Sequence, residues 1–160
     1  RQICITDRAP TVNSFTRLVR GAWAPTSASW GIENRTVAFR FIPGDASRQH
    51  VENRVGGADG NPYLTAAATL GAAALGIEEK IEPIAAVVGN AYEQEGAMGS
   101  ESRFSPTLRH AATRMGESKA ARRVFGDAFV EHFVGTRIWE AEESERSVND
   151  WQLDRYLEII

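Results

Sequence analysis

At 160 residues, 42% hydrophobic and 24% charged, the chain has the size and composition of one soluble globular domain. Its net charge of −3, with no lysine-rich stripe, argues against a nucleic-acid partner. No apolar run is long enough to cross a bilayer, nothing at the start resembles a signal peptide, and the single Cys4 leaves no internal disulfide.

Cys4 reads as an inert thiol and fits a reducing, cytoplasmic setting. An opening Arg1 in place of Met is expected of a fragment or a processed product. The charge is unevenly spread. Residues 1–60 hold eight arginines, no lysine and five acids, for +3, and the remaining residues carry −6. A preference for arginine suits bidentate contacts to carboxylate or phosphate oxygens.

Residues 1–12 are poorly patterned, and 13–31, with Gly, Pro, Ser and two tryptophans, read as a structured loop. From Thr36 to Ile42 the residues alternate, with Val37, Phe39 and Phe41 on one face and Arg40 on the other. "PGDAS" turns the chain into a second strand at 50–55, which "GGADG" ends. Asn61-Pro62 starts a helix by N-cap and N1 logic, and its many alanines and glycines predict a buried helix running to about Pro83. Residues 82–102 read as a long connection. Ser105-Pro106 opens another helix, a third ends at Gly126, and 127–147 form an amphipathic helix with Phe129, Phe133, Val134, Ile138 and Trp139 as its apolar stripe. "VNDWQLDRYLEII" predicts a last helix. Strands precede helices, so the class is α+β: a few antiparallel strands followed by a helical region. Two clear strands make too small a sheet to stand alone.

His50, Glu52 and Arg54 are spaced by two, so an extended strand sets them on one face, with Val51 and Val55 toward the core. Two readings of the Glu52–Arg54 pair stay open. One is a same-face ion pair. The other is a carboxylate for a hard cation beside a guanidinium for the oxyanion that the cation holds. Arg40 shares its strand face with the small Ala38, and Arg35 joins such a site only from the loop before the strand. Arg17 lies in the preceding loop. Four arginines and a glutamate within 38 residues make an anion site if they converge. No Walker-type loop or GxGxxG fingerprint is present. His110 and His132 read as surface or capping residues, "EAEESER" as a solvated helix face, and Tyr92 as an ordinary loop tyrosine.

"NSFTRLVRGAWAPTSASWGIENRTVAFR", "HVENRVGGADGNPYL" and "VNDWQLDRYLEII" together resemble the C-terminal part of the glutamine synthetase superfamily catalytic domain, as in glutamine synthetase or γ-glutamyl-amine and polyamine synthetases. The resemblance covers about Thr11 to Ile160; residues 1–10 carry no matching motif. It implies ATP-dependent formation of γ-glutamyl phosphate from glutamate, and displacement of phosphate by ammonia or an organic amine. It implies Mg2+ or Mn2+ as cofactor and a large homo-oligomer of stacked rings. The N-terminal β-grasp domain and the upstream catalytic strands lie outside the matched part. By the same resemblance Glu52 is a metal ligand, and Arg35 and Arg54 stabilise the transferring phosphoryl group. Arg17 holds the substrate carboxylate, and Arg40 and His50 lie at the nucleotide. Trp23 stands where glutamine synthetase proper has a glutamate that helps hold ammonium, which implies an organic amine as substrate or a residue that merely packs the loop. With a single recognisable metal carboxylate, the 160-residue chain is not expected to catalyse alone. The rival reading is a truncated, non-catalytic relative that serves assembly or regulation.

Overall fold

A computed structural model describes residues 8–159; the reading of Cys4 lies outside them. Three short strands, β1 (Trp30–Ile32), β2 (Phe39–Ile42) and β3 (His50–Asn53), form a sheet in that order. The expected pair β2 and β3 is antiparallel, and β1 adds to β2 in parallel. The helices are α1 (Val12–Arg17), α2 (Pro62–Glu78), α3 (Ala91–Gln94), α4 (Leu108–Glu117), α5 (Lys119–Phe125), α6 (Asp127–Arg146) and α7 (Asp150–Tyr156). The α+β reading is thus matched.

Side-chain caps set the helix starts. Asn61 accepts from the amides of Tyr63 and Leu64, with Pro62 at the first helical position. Thr107, Ser118 and Asn149 cap α4, α5 and α7 in the same way. Thr11 and Ser14 form a capping box that turns the start of the expected 13–31 loop into α1. That box overrides the weak local pattern, and β1 takes the end of the same stretch through pairing with β2.

The strand expected from Thr36 begins only at Phe39. Val37 and Ala38 are both buried, because the chain is still turning there and the two-residue alternation has not started. Ala38, with Ala9, Val55 and Ala111, centres one core cluster, packed by Phe15, Leu18, Phe39 and Phe104. Val37, Val87 and Ala91 centre another. Met115, Ala121 and Val130 centre the third, where Phe129, Phe133 and Val134 of the amphipathic stripe pack together with Phe125 of α5. Trp139, expected in that stripe, is exposed.

Two burial expectations are corrected. Val51 is exposed, because β3 is the sheet edge; Asn53 on the same face is instead held under α2 by a 3.0 Å bond to Thr69. Helix α2 buries only Ala68 and Leu75. Its close approach to α5 is real, since a Cβ at Gly71 would lie 2.3 Å from Val124. That contact covers one side, and Tyr63, Leu70 and Ile77, seven residues apart on one stripe, stay exposed.

Candidate functional site

The antiparallel register sets Arg40 directly opposite Glu52, and the parallel register sets Gly31 on the other side of Arg40. Gly31 lets the 86–89 segment close over β1: a Cβ there would meet the Val87 carbonyl oxygen at 2.7 Å. Arg40, on the central strand, reaches two acids. Its guanidinium pairs with Glu33 and, at 3.4 Å, with Oε2 of Glu52. The hydrogen bond that it donates to Glu33 is the main reason its pKa lies above the ordinary arginine value, against an opposing cost of burial. It is a fixed cation.

Arg54 follows β3 and tethers three segments. Its Nη1 donates to Oε1 of Glu52 at 2.9 Å, its Nε to the Arg35 carbonyl at 3.1 Å, and its Nη2 to the Trp23 carbonyl at 3.0 Å. Arg35 sits in the turn before β2, the one placement from which it can join the site. Trp23, Arg35, Arg40, Glu52 and Arg54 line a single small polar pocket of about 330 Å3. Of the four arginines and the glutamate expected to converge, Arg35, Arg40, Arg54 and Glu52 do so and Arg17 does not, while Trp23 completes the lining.

The arginines are not unpaired, however. Glu52 neutralises two of them and Glu33 a third contact, while the exposed Arg35 guanidinium makes no ion pair among the described residues. Three cations against two acids leave the cluster positive. The Nε donors of Arg17 and Arg40 are buried without hydrogen-bond partners among the described residues. The excess positive charge suits an anion with several oxygens.

Two predicted residues stand outside that pocket's lining. Arg17, at the end of α1, donates to the Val55 carbonyl at 2.5 Å and to the Arg54 carbonyl at 3.5 Å, supporting the backbone that carries Arg54. His50 is exposed at the start of β3, and its Nδ1 donates to the Arg48 carbonyl at 2.6 Å. Glu33 is the site residue that the sequence reading missed. It follows β1 with φ of 51°, and only the strand register reveals that it meets Arg40. Trp23 is likewise held at φ of 53°, a region costly for a non-glycine residue.

Among the described residues no three His, Cys, Asp or Glu side chains gather to hold a metal. Glu52 is one carboxylate, with a guanidinium against each oxygen. The described residues thus supply one carboxylate in a pocket whose charge is positive.

Residues 3–156 match the family described as glutamine synthetase, catalytic domain. Among curated proteins, a glutamate–isopropylamine ligase of Pseudomonas is 42% identical over 94% of this chain and 32% of its own length. A type-1 glutamine synthetase of Dictyostelium discoideum is also 42% identical, over 95% of this chain and 29% of its own. A γ-glutamylputrescine synthetase of Escherichia coli is 36% identical over 91% and 30%. The solved GmaS/ADP complex superposes with a TM-score of 0.77 at 29% identity, covering 96% of this chain and 36% of that structure. The chain thus spans about a third of the length of the curated relatives it matches.

Proposed function

This chain belongs to the glutamine synthetase catalytic-domain family, and from that membership we propose that it is part of an ATP-dependent ligase that joins glutamate to an amine through γ-glutamyl phosphate. The observation that carries the reading is the gathering of Trp23, Arg35, Arg40, Glu52 and Arg54 around one pocket. Phosphoryl transfer needs mainly positioning and neutralised oxygen charge, and that pocket offers both.

In the first step a γ-carboxylate oxygen of glutamate bonds to the terminal phosphorus of ATP, and ADP leaves with the electron pair of the broken P–O bond. Arg35 and Arg54 neutralise the transferring group. Arg40, locked between Glu33 and Glu52, contacts the nucleotide phosphates, and His50 lies toward the nucleotide. Arg17 binds the glutamate carboxylate when its guanidinium turns from the β3 backbone. In the second step the amine lone pair forms the C–N bond, the C–O bond to phosphate breaks, phosphate departs with its electrons, and the nitrogen releases a proton to solvent or a base. Mg2+ or Mn2+ enters the proposal on family membership. It would offset phosphate charge, with Glu52 as one ligand and the others supplied from outside the described residues.

Trp23 supports an organic amine over ammonia, since indole takes no proton from ammonium yet packs against alkyl groups. Two of the relatives are named for organic amines, isopropylamine and putrescine. The remaining parts of the proposal are a large homo-oligomer, a cytoplasmic setting and no nucleic-acid or membrane partner. Among the described residues no helix is long and apolar enough to cross a membrane. The lone, doubly paired carboxylate favours the second reading, a non-catalytic assembly or regulatory relative. The deciding experiment measures ADP release by the natural protein that carries this chain, with glutamate, ATP, Mg2+ and a panel of amines. Amine-dependent ADP release supports the ligase. Its absence with every amine and with ammonia supports the second reading.

A further inference from the structure

A larger cleft, of about 750 Å3, adjoins the arginine pocket. Trp23, Ile32 and Glu33 line one side, and Val87, Val88 and Tyr92 the other. Trp23 and Arg35 border both cavities, so the two are neighbours.

The cleft is built from fixed parts. Asn34 Nδ2 donates to the carbonyls of Val87 and Gly89 at 3.1 and 2.8 Å, clamping one wall to the other. The Tyr92 hydroxyl donates to the Ala24 carbonyl at 2.8 Å, and Arg20 donates to the Tyr92 carbonyl at 2.9 Å, so the Trp23 loop is held at both ends. Walls fixed beforehand reduce the ordering cost of binding a ligand.

The lining is mostly apolar. Ile32 and Val88 present 56% and 85% of their surface, free to meet a ligand. Glu33 is the one acid on the lining, and its charge is offset by Arg40, which holds its Oε2. The Val87 and Gly89 carbonyls are engaged by Asn34. The cleft therefore accepts hydrocarbon, and Arg40 against its one carboxylate and Arg35 on its lining disfavour a second cation.

The geometry points to an amine-specificity site: the cleft receives the uncharged apolar substituent of the amine, while its amino nitrogen reaches the arginine pocket past Trp23. This inference rests on the ligase reading above and narrows its substrate class to alkylamines over diamines. Volume does not limit the substituent, since a four-carbon chain fills only a small part of the space. Charge does. A distal ammonium placed in the cleft would lose water, meet only a carboxylate that Arg40 already neutralises, and lie near the Arg35 cation. Trp23 stands at the junction, where it meets the amino end common to both kinds of amine, so it does not separate them.

Butylamine and 1,4-diaminobutane share a carbon skeleton and differ by the distal amino group, which makes them the probes. With the natural protein, saturating glutamate and ATP, and phosphate release as readout, kcat/KM for butylamine is expected to exceed that for 1,4-diaminobutane by about tenfold or more, the scale at which pocket contacts discriminate. Val88→Asp, at an exposed position that tolerates the change, is expected to lower that ratio by about tenfold. Equal or better use of the diamine, or a ratio unmoved by Val88→Asp, overturns the specificity site while turnover itself keeps the ligase reading. No turnover with either amine, ammonia or hydroxylamine overturns the ligase reading and this inference with it.

Discussion

Arg40 and Glu52 face each other across the β2–β3 register, and their side chains meet at 3.4 Å while each also holds a second partner. Arg40 holds Glu33, and Glu52 holds Arg54 at 2.9 Å. A chain of alternating charges thus crosses the sheet, and Glu52 is the link that spaces two guanidiniums. Glu52→Gln keeps its shape and removes its charge. Because the Glu52 side chain is 39% exposed, the stability loss is expected to be modest, about 1 kcal/mol or less by urea unfolding. Turnover of the natural protein is expected to fall about 100-fold or more, as when a preorganised charge contact is removed. A variant that loses stability heavily and activity only in proportion would reduce Glu52 to a strand tether.

The isolated 160-residue chain is expected to release no ADP from ATP, Mg2+ and glutamate above a Glu52→Ala control. The reason is its donor set: Glu52 is a single carboxylate, and no three metal-ligating side chains gather among the described residues. Electrostatic preorganisation needs every charge in place before the substrate arrives. Measurable turnover by this chain would mean that the arginine pocket suffices.

Tyr92 links the far wall of the cleft to the loop after Trp23. Burial pushes its phenol above the ordinary tyrosine value, with Arg54 pulling the other way. The fold therefore favours the neutral phenol. Its contribution is fully present below the ordinary phenol pKa of about 10 and is lost as pH rises through the higher folded value. Absorbance titration of the wild type and Tyr92→Phe is expected to assign a late-titrating phenol to Tyr92. The variant is expected to lose about 1 kcal/mol through the missing bond to Ala24. A Tyr92 that titrates at or below the ordinary value would show that this wall opens.

How much of this the sequence showed depends on the range of the interaction. Caps and short alternations are local, so α2, α5, α6 and α7 were legible in Asn61-Pro62, Gly126 and the aromatic stripe. Glu52 and Arg54 were legible as a pair because a period of two puts neighbours on one face, whereas the place of Arg40 opposite Glu52 comes from the β2–β3 register. Glu33 was not, since its meeting with Arg40 depends on a parallel register between strands joined through a turn. Exposure of Val51, Leu70 and Ile77 was equally hidden. Hydrophobic pattern says which residues can be buried, and it does not say what lies across from them.

Gly31 tests the register directly. Its absent side chain lets the Val87 carbonyl and the Asn34 side chain close over β1, at 2.7 and 3.1 Å from where a Cβ would stand. Gly31→Ala forces backbone apart and is expected to cost about 1–3 kcal/mol of stability, the usual price of overpacking. It should also loosen the Asn34 clamp on Val87 and Gly89, so hydrogen exchange in 86–90 should quicken more than in α6. A neutral substitution would mean that β1 and the 86–89 segment are not in contact.

Trp23→Glu puts an acceptor into the loop that Arg54 holds by the Trp23 carbonyl at 3.0 Å. That tether is to the backbone, so it survives the change. The left-handed φ of 53° is equally strained for either residue. What changes is the chemistry at the junction of the two cavities. A carboxylate binds ammonium and takes its proton, whereas indole offers only a face and a packing surface. The ratio of kcat/KM for ammonia to that for butylamine is expected to rise about tenfold or more in the variant, on the scale of a general base's contribution. Both amines are measured in one preparation, so a loss common to both leaves the ratio fixed and marks damage to the loop. A ratio that stays at the wild-type value in an otherwise active enzyme would mean that Trp23 only packs the loop and that amine choice is made elsewhere.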